Sequence, residues 1–261
     1  MAKLSISKAW DETSAFVAGE LRLLAPLALA LLFLPGVVAQ IAAPPPKVGM
    51  ADASPLSLVL FFASAVLGVI GQLAIARLAL GRRERLGNSI RQAARRAPAY
   101  IGAVFLFALP FSLLLALLYP PMQAAVVRGN RGMALIFALA TLVVLVAFII
   151  AFSRFLLSGP VAAVESGGPV AILKRGLTLT KGQVLRLLGA VLLFIIGGEV
   201  ASYAVEVAVG SVVTLLLGPP EPLTLPLLII ASATGAVQAA ILSLFSILFA
   251  RLYAQRVAVA A

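Results

Sequence analysis

Two acidic side chains inside an apolar stretch are the residues of this sequence most able to do chemistry. Glu199 and Glu206 are seven residues apart with Tyr203 between them, so a helix would place all three on nearly one face. If this stretch crosses a membrane, Glu199 lies about 20 Å beyond Arg186 at ~1.5 Å per residue, and Glu206 lies near the far interface. Burying a charge at mid-span costs about 2.5–3.5 kcal/mol, so such a group normally has a partner or faces water.

Glu199 therefore has two interpretations. It follows Gly197 and Gly198, a local weakness in a helix, and it could line a cavity, bind a cation or relay protons. Alternatively, a protonated or hydrogen-bonded carboxyl at Glu199 would hold helices together. For Glu206, contact with water at the interface is sufficient.

Gln72 and Gln238 are the other strongly polar side chains deep within apolar stretches. Each would hydrogen-bond across helices, a contribution of about 0.6 kcal/mol on average in membranes. Small residues spaced four apart indicate close helix packing, and they occur at Ser64 and Gly68 and at Ala231, Gly235 and Ala239. We expect these residues to join helices rather than to bind ligands.

The composition excludes many enzyme mechanisms. The chain has no His and no Cys, which excludes imidazole and thiolate metal sites, Ser-His-Asp and Cys-His catalysis, and disulfides. The glycine pairs at 167–168 and 197–198 lack the spacing, the Lys-Ser/Thr ending and the preceding strand of a phosphate-binding loop. No nucleophile–base pair is visible. We therefore predict a protein that is not an enzyme and has no metal and no cofactor.

The overall composition indicates which elements carry these residues. Of the 261 residues, 62% are hydrophobic and 11% are charged, against about 45–50% and ~25% in soluble proteins. A chain this apolar is predicted to be a membrane protein. Its net charge of +11 indicates membrane topology and anionic lipid rather than nucleic acid, because few aromatic residues are interleaved with the basic ones.

Six stretches without Lys or Arg are long enough to cross a hydrocarbon core of ~30 Å, at 23–43, 56–76, 99–119, 133–152, 187–208 and 227–250. Charged or proline-containing segments separate them, at 44–47, 81–96, 120–121, 158–160 and 218–222. Pro26, Pro35 and Pro110 lie inside the stretches and should kink them. We predict an all-α integral membrane protein with six transmembrane helices, forming a single domain over 1–261.

The basic residues predict the orientation of these helices. Seventeen of the 20 Lys and Arg fall on one side, and only Lys47, Arg128 and Arg131 fall on the other. Because basic residues resist translocation, both termini are predicted to be cytoplasmic, with the chain in the inner membrane of a bacterium. The first stretch is not expected to be a cleaved signal peptide, because a long leader that includes Asp11 and Glu12 precedes it.

The sequence repeats a unit of two predicted helices. Similar small-Arg-apolar triplets end the even-numbered helices, at 76–78, 153–155 and 250–252. A short segment with helical periodicity precedes each odd-numbered helix, at 6–17, 90–97 and 170–184. We predict three hairpins, each preceded by a cytoplasmic interfacial amphipathic helix, as units 1–80, 81–158 and 159–261. These units would surround a pseudo-threefold axis, and an inverted 3+3 repeat is the alternative.

The basic residues of the interfacial segments also have two interpretations. An amphipathic helix lies in the headgroup plane for packing reasons alone, so plain anchoring is one of them. Preferential contact with anionic headgroups is the other, and the concentration of Arg in the second unit favours it. The predicted headgroup contacts are Arg82, Arg83, Arg91, Arg95, Arg96, Lys174, Arg175 and Lys181.

The third unit resembles a known family. It reads Gly-Pro-Val-Ala-Ala-Val-Glu at 159–165 and Gly-Pro-Val-Ala-Ile-Leu-Lys-Arg-Gly-Leu-Thr-Leu-Thr-Lys-Gly at 168–182. With Arg251-Leu252-Tyr253, these segments resemble the membrane domain attached to some bacterial glycerophosphodiester phosphodiesterases, and related stand-alone membrane proteins. The resemblance implies a six-helix membrane domain. It does not imply phosphodiesterase activity, because the chain has no room for that family's soluble barrel.

Three classes of function remain open. The first is a non-catalytic membrane module that binds lipid, anionic lipid in particular, or that scaffolds a protein partner or a second copy of itself. The basic segments and the scarcity of catalytic groups favour it. The second is a small transporter or channel that uses Glu199 at a polar cavity, although the other predicted helices carry few polar residues. An enzyme acting on lipid is the least favoured.

Overall fold

The computed structural model describes residues 5–42, 54–81, 86–221 and 224–260, and within these ranges the chain is helical and contains no strand. The helices are α1 (Ile6–Ala28), α2 (Leu34–Ala42), α3 (Pro55–Ala79), α4 (Leu86–Val127), α5 (Arg131–Phe155), α6 (Ser158–Val164), α7 (Pro169–Leu179), α8 (Val184–Leu217) and α9 (Leu225–Ala260). The predicted loop at 44–47 lies outside the described residues, and so do Arg82, Arg83 and Arg85.

Six helical stretches in the described part of the chain are long and apolar enough to cross a membrane. They are Ile6–Ala42, Pro55–Ala79, Leu86–Val127, Arg131–Val164, Val184–Leu217 and Leu225–Ala258. Each contains one of the six stretches expected from the sequence, apart from a few residues at the ends. The prediction of an all-helical, multi-pass membrane protein with six apolar helices is confirmed at this level.

The predicted boundary between the third and fourth of these helices is wrong. The break expected at 120–121 does not occur, because α4 continues through both prolines to Val127. The turn lies at 128–130, where Gly129 has a φ of 68° and the Asn130 side chain accepts a hydrogen bond from the Met133 backbone N–H. This tight connection requires a residue with positive φ, which glycine adopts without strain, and a side chain that caps the first turn of α5.

The break predicted at 158–160 occurs two residues earlier, at 156–157 between α5 and α6, and residues 158–160 begin the short helix α6. Pro160 lies in its first turn, where a backbone N–H has no partner within the helix and its loss costs little. Most of α6 is buried, and it packs against α3, α4, α7 and α9. This buried helix therefore closes one end of the bundle.

The segments that precede the three hairpins join them in different ways. In α1, Glu20 has non-helical angles (φ −115°, ψ 17°), so a kink separates the leading segment from the apolar part. The leading segment of α4 continues into the apolar part through Pro98. The helix α7 is separate from α8, and the turn between them contains Gly182 with a φ of 78°.

One predicted proline distortion coincides with irregular helix. Pro26 has no N–H to donate within α1, and a π-helical turn, Leu29–Phe33, follows it and joins α1 to α2. The helix α4, by contrast, contains Pro110 and is helical throughout. The irregular turn packs against α3, in the same hairpin, and against α9.

The start of α1 and the last turns of α9 meet at one end of the bundle. There, the Ser5 backbone N–H donates a hydrogen bond to Gln255 Oε1 at 3.2 Å. We call this the basic end because Arg77, Arg154 and Arg251, at the ends of α3 and α5 and within the last turns of α9, also lie there.

Most of the buried core lies near the basic end. Ala79, Leu157, Ala163 and Leu252 are completely buried there, in residues that belong to α3, α6 and α9 or immediately precede α6. Toward the other end the helices are much more exposed, and the most apolar window of the fourth candidate span contains no buried residue. In a membrane such apolar surfaces face lipid. The contacts that fix the arrangement of the helices are therefore concentrated at the basic end.

Small residues allow close approach between α9 and the first hairpin, and between the two arms of that hairpin. Ala231 and Ala239 of α9 are buried, and a Cβ atom at Gly235 between them would lie 2.8 Å from Val37 Cγ2. This contact agrees with the close packing expected on α9. On α3 the prediction of close packing at Gly68 is wrong, because a Cβ atom there would meet nothing within 4 Å. The close approach occurs at Gly71 instead.

Candidate functional site

A cavity of about 490 Å³ lies between the hairpins. Five helices contact one another in a closed sequence around it, α3 with α4, α4 with α5, α5 with α8, α8 with α9, and α9 with α3. Gly159 and Pro160 of the buried helix α6 also line it. Most of its wall is apolar, and its aromatic residues are Tyr100, Phe152, Phe155, Phe194, Phe245 and Phe249. The volume lies within the roughly 300–1,000 Å³ range of ligand pockets.

Three polar residues singled out in the sequence line this cavity together. Gln72 comes from α3, Glu199 from α8 and Gln238 from α9. The hydroxyl-bearing residues Ser202 and Ser246 also line it. The sequence placed these side chains in separate helices, and the packing of the helices brings them to one site.

Glu199 is exposed and lines the cavity. Its carboxyl group makes no hydrogen bond or ion pair with any residue in the described ranges. The neighbouring Gly198 lets α8 lie close to α9, since a Cβ atom there would be 3.3 Å from Ile241 Cγ2. Of the two interpretations from the sequence, the position agrees with a cavity-lining carboxyl. The helix-joining carboxyl has no protein partner among the described residues.

Gln238 belongs to a small hydrogen-bond network between α2 and α9. Gln40 Nε2 donates to Gln238 Oε1 at 3.3 Å, and Thr234 Oγ1 donates to Gln40 Oε1 at 2.9 Å. This is the kind of contact between helices that was expected of Gln238. Gln72 makes no hydrogen bond within the described part of the chain. Gln40 was not predicted from the sequence, because it lies near the end of its apolar stretch and carries no further signal.

Tyr203 and Glu206 lie apart from this cavity. Both line a second, shallower groove between α8 and α9, together with Thr214 and Pro220. Both residues are exposed. The face shared by Glu199, Tyr203 and Glu206 on one helix is therefore divided by tertiary packing between two sites.

Five of the predicted headgroup contacts are exposed at the basic end, and Arg175 among them is bonded to Glu165. We call the other four the basic surface: Arg91, Arg95, Lys174 and Lys181. None of their side chains hydrogen-bonds to a described residue. The helices α4 and α7, which carry or adjoin them, pack closely. A Cβ atom at Gly102 would lie 2.8 Å from Pro169 Cγ.

Two other predicted headgroup contacts are bonded within the protein through Glu165, which follows α6. Arg175 Nε donates to Glu165 Oε1 at 3.1 Å, and the Tyr253 hydroxyl donates to the same oxygen at 2.7 Å. Arg96 Nη1 donates to the Glu165 backbone carbonyl. Glu165 therefore connects α4, α7 and α9. Its one signal in the sequence was its place in the segment that carries the family resemblance.

Arg77 is the most deeply buried charged residue of the described chain, with 1% of its surface exposed. Its Nη1 donates to the Ala163 carbonyl at 2.5 Å, and its Nη2 donates to Gln92 Oε1. It joins α3 to α6 and α4. In the sequence, Arg77 served only as one of the basic residues that predict the orientation of the helices. The repeated small-Arg-apolar triplet was nevertheless a signal that its three Arg residues share a structural role.

The Arg residues of the three triplets make related contacts. Arg77 of the first hairpin bonds to Gln92, in the segment that precedes the second hairpin. Arg154 Nη2 of the second donates to the Leu177 carbonyl, in the segment that precedes the third, at 3.2 Å. The guanidinium of Arg251, in the third, lies 5.0 Å from the centre of the Phe16 ring, in the segment that precedes the first. Each triplet thus contacts the leading segment of the next hairpin in cyclic order.

The cavity has groups suited to binding. A carboxylate accepts hydrogen bonds and attracts cations, and an amide both donates and accepts. Within the described ranges, no group of three or more His, Cys, Asp or Glu residues is placed to hold a metal ion.

Comparison with known proteins gives no match to a protein-family model, a curated protein or a solved structure. The class of the protein follows from its own structure. It is a multi-pass membrane protein with six apolar helices and a mainly apolar cavity between them.

Proposed function

We propose that this chain is a non-catalytic membrane module that binds anionic lipid headgroups at its basic end. The observation that carries the proposal is the basic surface, Arg91, Arg95, Lys174 and Lys181, exposed on neighbouring elements and without protein partners among the described residues. A basic side chain near an anionic membrane surface contributes about 1 kcal/mol. A scaffolding role toward a protein partner or a second copy is compatible with the same surface.

The leading segments support an interfacial location for these charges. In α7, Ile172, Gly176 and Leu179 are buried, whereas Lys174 and Arg175 are exposed. The first part of α1 likewise buries Ala9 and Thr13. Helices with one buried and one charged side suit the boundary between protein, headgroups and water.

A threefold repeat is part of the proposal. The cyclic contacts of Arg77, Arg154 and Arg251 support it, because each hairpin would repeat the same relation to the next. The contacts of α3 with α4, α5 with α8, and α9 with α1 and α2 follow the same order. The units 1–80, 81–158 and 159–261 account for this order more simply than an inverted 3+3 repeat does.

We further propose the inner membrane of a bacterium, with both termini in the cytoplasm. Single cysteines introduced at Asn88 and Thr178 are expected to react with a membrane-impermeant maleimide only after the membrane is opened. Cysteines at Arg131 and Glu221 should react in intact cells. All four positions are exposed, and the chain has no native Cys, so the background is clean. Reaction of position 88 or 178 in intact cells would contradict this orientation.

The lipid proposal predicts that removing positive charge from the basic end weakens lipid retention, and that removing it from the opposite end does not. The Arg91→Gln/Arg95→Gln variant is expected to retain phosphatidylglycerol and cardiolipin about tenfold more weakly, because two contributions of ~1 kcal/mol are lost and partly screened by salt. Native mass spectrometry of the detergent-released protein measures the retention.

Arg128→Gln/Arg131→Gln is the matched control for that variant. It removes two exposed Arg residues from the opposite end of the bundle, and its lipid retention should equal that of the unmodified protein. Equal loss in both variants, or no loss in either, would contradict the proposed lipid site. Cysteine labelling of both variants checks that orientation is unchanged.

A small transporter or channel is the second candidate, and Glu199 in the cavity favours it. Solute flux in proteoliposomes that Glu199→Gln abolishes would select it. Because 159–182 resembles the membrane domain of glycerophosphodiester phosphodiesterases, a relationship to that domain is also part of the proposal. This relationship would add no catalytic activity.

A further inference from the structure

The electrostatics of the cavity are opposite to those of the basic surface. Glu199 lines the cavity, and no Lys or Arg is among the described residues that line it. The nearby polar groups include the neutral amides of Gln72 and Gln238. A carboxylate in an apolar environment is stabilised by a cation or a hydrogen-bond donor. An anionic headgroup, by contrast, would be repelled.

The walls of the cavity suit an apolar molecule. Phe194 and Phe245 contact each other edge to face, and Phe245 also contacts Phe249, so aromatic rings line the side formed by α8 and α9. The faces of aromatic rings also attract ammonium groups. A ligand with an apolar body and a cationic head therefore matches both the walls and the carboxyl group.

The position of Glu199 indicates how a ligand reaches the cavity. On the side of the basic end, Gly159 and Pro160 of the buried helix α6 line the cavity. Glu199 is itself exposed and lies about 20 Å from Arg186 along α8, at ~1.5 Å per residue. The part of the cavity lined by the exposed Glu199 is thus within the depth of the membrane. A molecule dissolved in the bilayer can reach the carboxyl group there.

We infer that this cavity binds an amphiphile that carries a protonated or quaternary amine, and that this amine contacts Glu199 while the apolar body lies between the aromatic side chains. The site is separate from the basic surface and goes beyond the proposed function. The amine belongs either to a zwitterionic bilayer lipid such as phosphatidylethanolamine, of which the ammonium group would contact Glu199, or to a free amphiphilic amine. The recognising chemistry is the same in both.

Trp10 provides a reporter for this site. It is the single Trp of the chain, and its ring centre lies 6.2 Å from that of Phe194, which lines the cavity. Titration with dodecylammonium, dodecanol and dodecanoate, followed by Trp10 fluorescence in nanodiscs, compares a cationic, a neutral and an anionic head on one chain length. Dodecylammonium is expected to bind at least about tenfold more tightly than dodecanol, as a hydrogen bond to a charged group would give.

Two glutamate variants test the assignment. Glu199→Gln should reduce the preference for dodecylammonium over dodecanol to within about twofold, since it removes the contribution of the charge. Glu206→Gln, on the same helix but in the other groove, should leave the preference unchanged. Tighter binding of dodecanoate, or an unchanged preference in Glu199→Gln, would overturn the inference. Loss of anionic lipid retention in the Arg91/Arg95 variant would not affect this result.

A cavity-filling variant covers the case in which Glu199→Gln does not fold. Ser202→Leu places a larger side chain in the cavity and should weaken binding of all three dodecyl probes. Unchanged binding in this variant would place the probes elsewhere and overturn the inference. Native mass spectrometry identifies the source of the amine. Phosphatidylethanolamine retained by the unmodified protein and lost in Glu199→Gln indicates bilayer lipid, whereas retention of added dodecylammonium alone indicates a free amine.

Discussion

An Arg77→Met variant is expected to unfold about 10 °C below the unmodified protein, corresponding to a loss of about 3 kcal/mol. Methionine replaces the apolar stem of the side chain but donates no hydrogen bond. The Ala163 carbonyl and the Gln92 side chain would lose the donor that they share. A buried acceptor left without a donor costs about 1–3 kcal/mol. Thermal unfolding in lipid nanodiscs, followed by circular dichroism, measures the change.

Arg154→Met and Arg251→Met are the matched controls, because each removes one positive charge from the equivalent triplet. Both residues are only partly buried. Arg154 Nη2 donates one hydrogen bond, and Arg251 lies over one aromatic ring. We expect each variant to lose about 1 kcal/mol. If all three variants lose the same stability, the buried contacts of Arg77 do not have the effect inferred for them.

Arg77→Lys separates the role of charge from the role of geometry. Lysine keeps the positive charge and hence the bias in orientation, but its compact ammonium cannot reproduce the planar fork of donors. Most of the loss seen in Arg77→Met should therefore remain. Full recovery by Lys would show that charge alone is required.

Gly71→Val is expected to cost about 1–3 kcal/mol by overpacking the contact between α3 and the π-helical turn. A Cβ atom at Gly71 would lie 2.9 Å from Leu31 Cβ and 3.2 Å from the Leu31 carbonyl oxygen. Neither atom is the flexible end of a side chain, so the backbones must separate. The same thermal measurement detects the loss.

Gly68→Val is the control for Gly71→Val. It introduces the same side chain less than one turn away on α3, where a Cβ atom meets nothing within 4 Å. Its stability should stay within about 0.5 kcal/mol of the unmodified protein, as for other substitutions away from packed contacts. Equal destabilisation by both variants would indicate an effect of valine on α3 rather than a close approach at Gly71.

The fold illustrates which features local sequence patterns predict. The six helices were predictable because the thickness of the hydrocarbon core sets a length of apolar residues, and each stretch satisfies it without reference to the others. The helix end at 120–121 was predicted wrongly from proline, and the break predicted at 158–160 lies two residues earlier. Pro120 and Pro121 lie within a helix that Gly129 and Asn130 terminate, and Pro160 lies in a first turn. Local chemistry of neighbouring residues decided these ends.

The candidate site was predictable in its residue types and not in its assembly. The depth of Glu199 follows from counting along one helix, and its cost of burial marked it as unusual. That Gln72 and Gln238 share its cavity, and that Tyr203 and Glu206 do not, depends on which helices are neighbours. A helical period places side chains around one axis and contains no information about the next helix.

By itself, the sequence determined that the chain is helical, apolar enough to cross a membrane six times, unable to use His or Cys chemistry, and basic on one predicted side. Each of these properties depends only on which residues follow one another along the chain, and not on how the helices pack. Only the tertiary structure decided that Arg77 bonds to Ala163, that Glu165 joins Arg175 to Tyr253, and that a cavity remains between the hairpins. Those contacts join residues far apart in the chain, and they form because close approaches such as that at Gly71 set the spacing of the helices.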